Sequence, residues 1–206
     1  MVDVTLPKFP ELTFEPKKHI YKLNGIYIPS VTTVMRPLSN EFYKDVDEDI
    51  LNAAADRGRA VHNGIENYVK FEIEDIAPQH RGYFDGFLKW MADFKPIPIE
   101  TECRVYHKYL RYAGTADMPC VIGKNLICVD FKTSAEINRM LTGVQLEAYS
   151  KAYESHGVKF DEKAIVHLKS DGTYSMERYK ANDSESWEVF GALLTIWNHQ
   201  QKYKRR

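Results

Sequence analysis

Gly114-Thr115-Ala116-Asp117, Val129-Asp130-Phe131-Lys132 and Gln145-Leu146-Glu147-Ala148-Tyr149 fall within one stretch, residues 102–149, whose reading decides the fold. Side chains alternate faces along a strand, so an extended Asp130-Phe131-Lys132 presents its carboxylate and its ammonium on one face. Residues 126–131 are rich in branched and aromatic types without glycine or proline, and they follow the turn-prone Gly123-Lys124-Asn125, which predicts a strand. A second strand within residues 110–121 precedes that turn, and a hairpin brings Asp117 back towards Asp130.

Two carboxylates converging beside a lysine suit Mg2+ or Mn2+, ions that favour oxygen ligands and keep several waters. Phosphodiester hydrolysis uses this combination, with a metal to neutralise charge on the phosphate and acidify a bound water, and a cation to orient the attack. Taken alone, however, D-x-K is most often a surface pair on an edge strand, individually worth little.

The 206 residues, 44% hydrophobic and 28% charged, describe one ordinary globular domain long enough to bury a core. A formal net charge of -1 excludes a histone-like basic protein but not a local basic channel, because phosphate contacts depend on the field at the site. The three cysteines, Cys103, Cys120 and Cys128, form no close pair, which argues against a disulfide framework or a zinc or iron-sulfur site. The expected setting is a reducing cytoplasm, since the first residues lack a signal-peptide pattern and no long apolar run suggests a membrane partner.

Working outward, residues 1–18 are rich in proline (Pro7, Pro10, Pro16) and read as an extended arm. Asn24-Gly25 between two alternating segments is a strong hairpin signal, and Ser30 caps a short helical turn that Pro37 should stop, so residues 19–48 read as hairpin and short helix. Residues 49–206 make the core. Within it, residues 49–71 are helical by pattern. His62 lies at the edge of that stripe, either a satisfied boundary histidine or a ligand. Gly58 would admit a backbone or a phosphate, and the flanking Arg57 and Arg59 read as a solvated face or as DNA contacts.

A second helix, residues 78–94, carries Tyr83, Phe87, Trp90, Met91 and Phe94, more a core stripe than a base-stacking platform. Residues 99–106 read as a strand with Glu102 facing solvent or the site. Ser134 or Thr133 should cap a helix over residues 135–156, on which Leu141, Gln145, Ala148 and Ala152 share a face bordered by Tyr149. A hairpin around Ser170-Asp171-Gly172 and a helix capped by Asp183 or Ser184 complete the chain, ending in the basic Lys202-Tyr203-Lys204-Arg205-Arg206.

In order, a helical His, Gly-Thr-x-Asp, Val-Asp-x-Lys and a following Gln-x-x-x-Tyr resemble the PD-(D/E)xK nuclease superfamily. Within it they resemble the RecB-like exonuclease branch, over residues 19–180. The resemblance implies an α/β fold with a restriction-endonuclease-like core, a central mixed β-sheet flanked by helices, and an N-terminal β-hairpin. It further implies a Mg2+- or Mn2+-dependent DNA exonuclease of recombination, repair or phage DNA processing, working alone, as a homo-oligomer or with a recombination partner. His62, Asp117, Asp130 and the backbone carbonyl of Phe131 would bind the metal, Lys132 would position or activate the attacking water, and Gln145 and Tyr149 would organise site and substrate. Glu66, one turn after His62, and Glu102 are possible supports. No proline precedes Asp117, and the four cysteines of cluster-bearing members are missing. The rival readings are a non-cutting DNA- or partner-binding protein on the same fold and a structure- or sequence-specific endonuclease.

Overall fold

A computed structural model of the chain describes residues 5–204. The first four residues of the expected arm, and Arg205 and Arg206 of the basic tail, lie outside the described residues. In order, the elements are β1 (Leu12–Glu15), β2 (Ile20–Leu23), β3 (Ile26–Ile28), α1 (Val31–Tyr43), α2 (Glu48–Phe71), α3 (Arg81–Phe94), β4 (Ile97–Pro98), β5 (Cys103–Tyr106), β6 (Ala113–Ala116), β7 (Met118–Ile122), β8 (Asn125–Lys132), α4 (Arg139–Glu154), β9 (Glu162–Leu168), β10 (Tyr174–Tyr179) and α5 (Ser184–Lys204).

The central sheet has the order β10-β9-β8-β7-β4 and is mixed: β8 and β9 run parallel, joined through α4, and the other neighbours are antiparallel. Alternation along β8 divides the core. Ile127, Val129 and Phe131 point to one face, where Val61 and Ile65 of α2 and Phe84, Phe87 and Trp90 of α3 cover them. Leu126 and Cys128 point to the other, against α1, α4 and α5. The aromatic stripe of α3 is therefore core, and Phe131 sits in it with its ring centroid 5.5 Å from both Phe87 and Trp90.

Several expectations change. Residues 12–15 of the arm form β1 on the β2–β3 hairpin, because Leu12 is buried there and Phe9, just before it, packs on Tyr106 and His156. α1 runs through Pro37 to Tyr43. The proline removes one backbone bond but not the packing of α1 on α4 and α5, which outweighs it. α4 starts later than expected, at Arg139, because Asn138 rather than Thr133 or Ser134 caps it by accepting from the Leu141 amide. The strand expected over residues 110–121 breaks at Asp117 into β6, which pairs with β5, and β7, which pairs with β8. The strand expected over residues 99–106 begins only at Cys103. No helix among the described residues is long and apolar enough to cross a membrane.

Candidate active site

Asp117 stands where the chain leaves β6 for β7, and one further step of the Met118–Val129 register sets it opposite Asp130. Its Oδ2 accepts the Phe131 amide at 2.7 Å, which ties the strand break to the end of β8. Its backbone carbonyl accepts the Glu102 amide at 2.8 Å. Glu102 is held at φ 52, a left-handed conformation that costs a non-glycine residue about 1 kcal/mol or more. The bend this imposes at the start of β5 turns the Glu102 carboxylate towards His62, with Oε1 3.5 Å from Nδ1.

His62 reaches the site from α2, which packs on the Phe131 face of the sheet. Its Nε2 lies 3.1 Å from the Phe131 carbonyl oxygen and 3.6 Å from Asp117 Oδ2. Both ring nitrogens thus face acceptors, an arrangement only the protonated ring satisfies. Burial pulls the His62 pKa down, but Asp117, Glu102 and Asp130 outweigh it and raise it to about 9. Asp117 is pushed up to about 7 by burial and by Asp130 beside it. Donor atoms of His62, Glu102 and Asp117 lie within 4.8 Å of one another. Two carboxylates and an imidazole around excess negative charge suit a divalent cation, which would take the place of the His62 proton.

Asp130 and Lys132 share the α4 face of β8, as alternation requires. Asp130 is buried, with Oδ2 2.6 Å from Lys132 Nζ and Oδ1 accepting from Gln145 Nε2 at 3.2 Å. Burial acts to lower the Lys132 pKa, yet Asp130 and Asp117 hold it above its ordinary value, so the ammonium stays charged. Gln145 also donates to the Tyr149 hydroxyl at 3.0 Å. Burial next to Asp130 keeps that phenol well above its usual range.

The structure brings together His62, Glu102, Asp117, Asp130, Lys132, Gln145 and Tyr149, in two linked groups. One is the His62–Glu102–Asp117 donor cluster. The other is the chain Lys132–Asp130–Gln145–Tyr149, in which the Asp130 carboxylate is engaged by lysine and amide. A cavity of about 660 Å³ opens over the first group, lined by Arg59, His62, Glu66, Glu102, Arg104, Thr115 and Lys132 among others. Glu66 reaches its wall paired with Lys70 and stands apart from the donor cluster. Arg57 donates from Nε to the Thr133 carbonyl at 3.2 Å and lies over the Tyr83 ring. Gly58 lines the cavity, but its nearest neighbour, Thr133 Oγ1, would be 3.8 Å from an added Cβ, so no close approach requires glycine.

Sequence reasoning missed Arg104, Thr115 and Phe14 on the cavity wall. Arg104 was within reach, since alternation places it on the face of Glu102. Thr115 accepts or donates a 2.7 Å bond with the Tyr21 hydroxyl, and Phe14 stacks under Arg104, contacts between distant segments that no local pattern announces.

No protein-family model and no curated protein sequence matches the chain. Among solved structures it is similar to SSO0001, at 16% identity over 82% of this chain and 74% of that one, with a TM-score of 0.47. It is also similar to LHK-Exo in complex with dAMP, at 13% identity over 86% and 89%, with a TM-score of 0.41. A further structure of LHK-Exo, an alkaline exonuclease from Laribacter hongkongensis, gives 14% identity over 78% and 97% and a TM-score of 0.38. Similarity this low leaves the chemistry to be read from the side chains themselves.

Proposed function

We propose that the protein is a divalent-metal-dependent deoxyribonuclease that hydrolyses phosphodiester bonds from DNA ends. The observation that carries this reading is the convergence of His62, Glu102 and the buried Asp117, with His62, Glu102 and Lys132 lining a cavity and Lys132 paired with Asp130. His62 in its neutral form, Glu102, Asp117 and the Phe131 carbonyl would hold Mg2+ or Mn2+, which would supply charge neutralisation at the phosphate and an acidified water.

The remaining work falls to this chain's own groups. Lys132 Nζ, kept cationic by Asp130, holds a water and screens charge on the phosphate oxygens. Gln145 fixes the Asp130 carboxylate, and Tyr149 fixes Gln145. Arg59 and Arg104 offer the cations of the cavity wall to flanking phosphates. The attacking water gives one proton to solvent as its oxygen bonds to phosphorus, the bond to the leaving oxygen breaks, and solvent protonates the leaving oxygen. End-directed cleavage rests on the resemblance of the ordered Gly-Thr-x-Asp, Val-Asp-x-Lys and Gln-x-x-x-Tyr to the RecB-like exonuclease branch.

The test is incubation with Mn2+, Mg2+ or EDTA and DNA labelled at either end, single- and double-stranded, with a closed circle as control. Progressive loss from free ends, absent in EDTA, is the expected result. Discrete fragments from the circle would make it an endonuclease, and no product with any substrate would make it a non-cutting binder.

A further inference from the structure

Away from the cavity, the hairpin and the last helix leave a groove of about 480 Å³ between β3 and α5. Tyr27 and Trp197 face each other across it, ring centroids 6.2 Å apart and tilted by 46°. Arg111 and Lys202, both exposed, supply its charge, and Asn198 and Gln201 supply amides. None of the described residues lining it is acidic, in a chain whose acids outnumber its lysines and arginines, 29 to 28. Arg111 is held at φ 55, a left-handed conformation, and its N–H donates a hydrogen bond to the His107 carbonyl at 2.9 Å. The exposed loop therefore carries its cation on a strained backbone.

The groove is coupled to the site by one strand. The Ala113 amide donates to the carbonyl of Pro29, a groove residue, at 2.9 Å, and β6 then runs from Ala113 to the residue before Asp117. At a rise of ~3.3 Å per residue, the near end of the groove is about 13 Å from Asp117.

We propose that this groove binds single-stranded DNA, with bases against Tyr27 and Trp197 and phosphates on Arg111 and Lys202. Rings that are exposed or half-exposed, paired cations and hydrogen-bonding amides without acids are the chemistry by which single strands are held independently of sequence. The inference rests on the nuclease reading for its sense, since the strand held would be the substrate outside the cavity, but the binding is measurable without cutting.

The experiment is fluorescence anisotropy of a labelled oligothymidylate in EDTA, over a series of salt concentrations, on the full chain. Arg111→Gln with Lys202→Gln is expected to weaken binding about tenfold. It should also make log Kd against log salt shallower by about 1.4, because each single-strand phosphate contact contributes ~0.7. Tyr27→Ala, at an exposed ring, is expected to weaken binding about tenfold by loss of stacking. Mn2+-dependent cleavage of a dinucleotide, too short to reach the groove, should be unchanged in these variants. Unaltered affinity and salt slope in both variants would overturn the proposal even if the protein cuts DNA. So would displacement of an acidic peptide, but not of the oligothymidylate, by these substitutions. Weakened binding in a protein that cuts nothing would support the groove and overturn the nuclease reading.

Discussion

Gly114 lies against the ring of Tyr149 so closely that an added Cβ would stand 2.4 Å from Cε1. The contact joins the glycine of Gly-Thr-x-Asp on β6 to the tyrosine of Gln-x-x-x-Tyr on α4. The ring can reach Gln145, and through it Asp130, only where the facing strand has no side chain. Gly114→Ala should displace the ring, destabilise the protein by about 1–3 kcal/mol, and lower kcat for DNA cleavage at least tenfold. In a double-mutant cycle with Tyr149→Ala, the two losses should be far from additive when unfolding and cleavage are both measured.

Phe131 is the middle residue of Asp130-Phe131-Lys132 and points away from both, into the Phe87–Trp90 cluster. Its burial sets the depth and angle of the end of β8, and so of the acid and the cation on the other face. Phe131→Ala is expected to cost about 3–5 kcal/mol in urea unfolding. Tyr149→Phe, which keeps the ring and loses only a hydroxyl, should cost about 1 kcal/mol.

Without metal, the folded protein should lose stability as pH rises. Asp117 titrates at about 7 when folded, against an ordinary value of 3.8, and His62 at about 9, against 6.5. Both shifts are upward, so the folded state binds more protons than the unfolded state. That stability is fully present below each unfolded value and is lost as pH climbs through the folded one. Urea midpoints in EDTA should fall from about pH 4 to pH 9 through these two groups. Asp117→Asn should flatten the fall, because it removes one group and the main charge that raises the other. Mn2+ should bind more tightly towards pH 9, since it competes with the same protons.

Glu102 and Asp130 are set different tasks by their contacts. Glu102 faces His62, so Glu102→Gln should raise the Mn2+ concentration needed for half-maximal cleavage about tenfold or more. Asp130 is engaged by Lys132 and Gln145, so Asp130→Asn should leave Lys132 without its counter-charge and lower kcat at saturating Mn2+. Titrating Mn2+ against the cleavage rate for each variant separates the two.

The pattern along β8 was legible because it is local: a period-2 alternation after a turn signal places Asp130 and Lys132 on one face whatever packs above them. His62, Gln145 and Tyr149 were likewise visible as helix positions. The break at Asp117 was not, because residues 110–121 read as continuous strand and only competition between two pairing partners, β5 and β8, divides them. Glu102 was open between solvent and site, since its side-chain direction depends on a left-handed backbone that a glutamate sequence does not advertise. The role of Pro37 was misread for a related reason, namely that packing of α1 on two other helices overrides a local helix breaker. Of the groove beside Trp197 the hairpin and the basic Lys202 were visible separately, but not their meeting, because it joins a hairpin, a loop and a helix far apart in the chain.

The most direct measurement takes Mn2+ binding, by electron paramagnetic resonance, and cleavage of end-labelled DNA from the same preparations of wild type, Asp117→Ala and Lys132→Ala. Wild type should bind Mn2+ and cut. Asp117→Ala, folded by circular dichroism, should do neither, while holding DNA in EDTA at least as well because a site charge is gone. Lys132→Ala should keep its Mn2+ and lose cleavage by about a hundredfold or more. Full cleavage by either variant, or wild-type cleavage that survives EDTA, would contradict the assignment of this site.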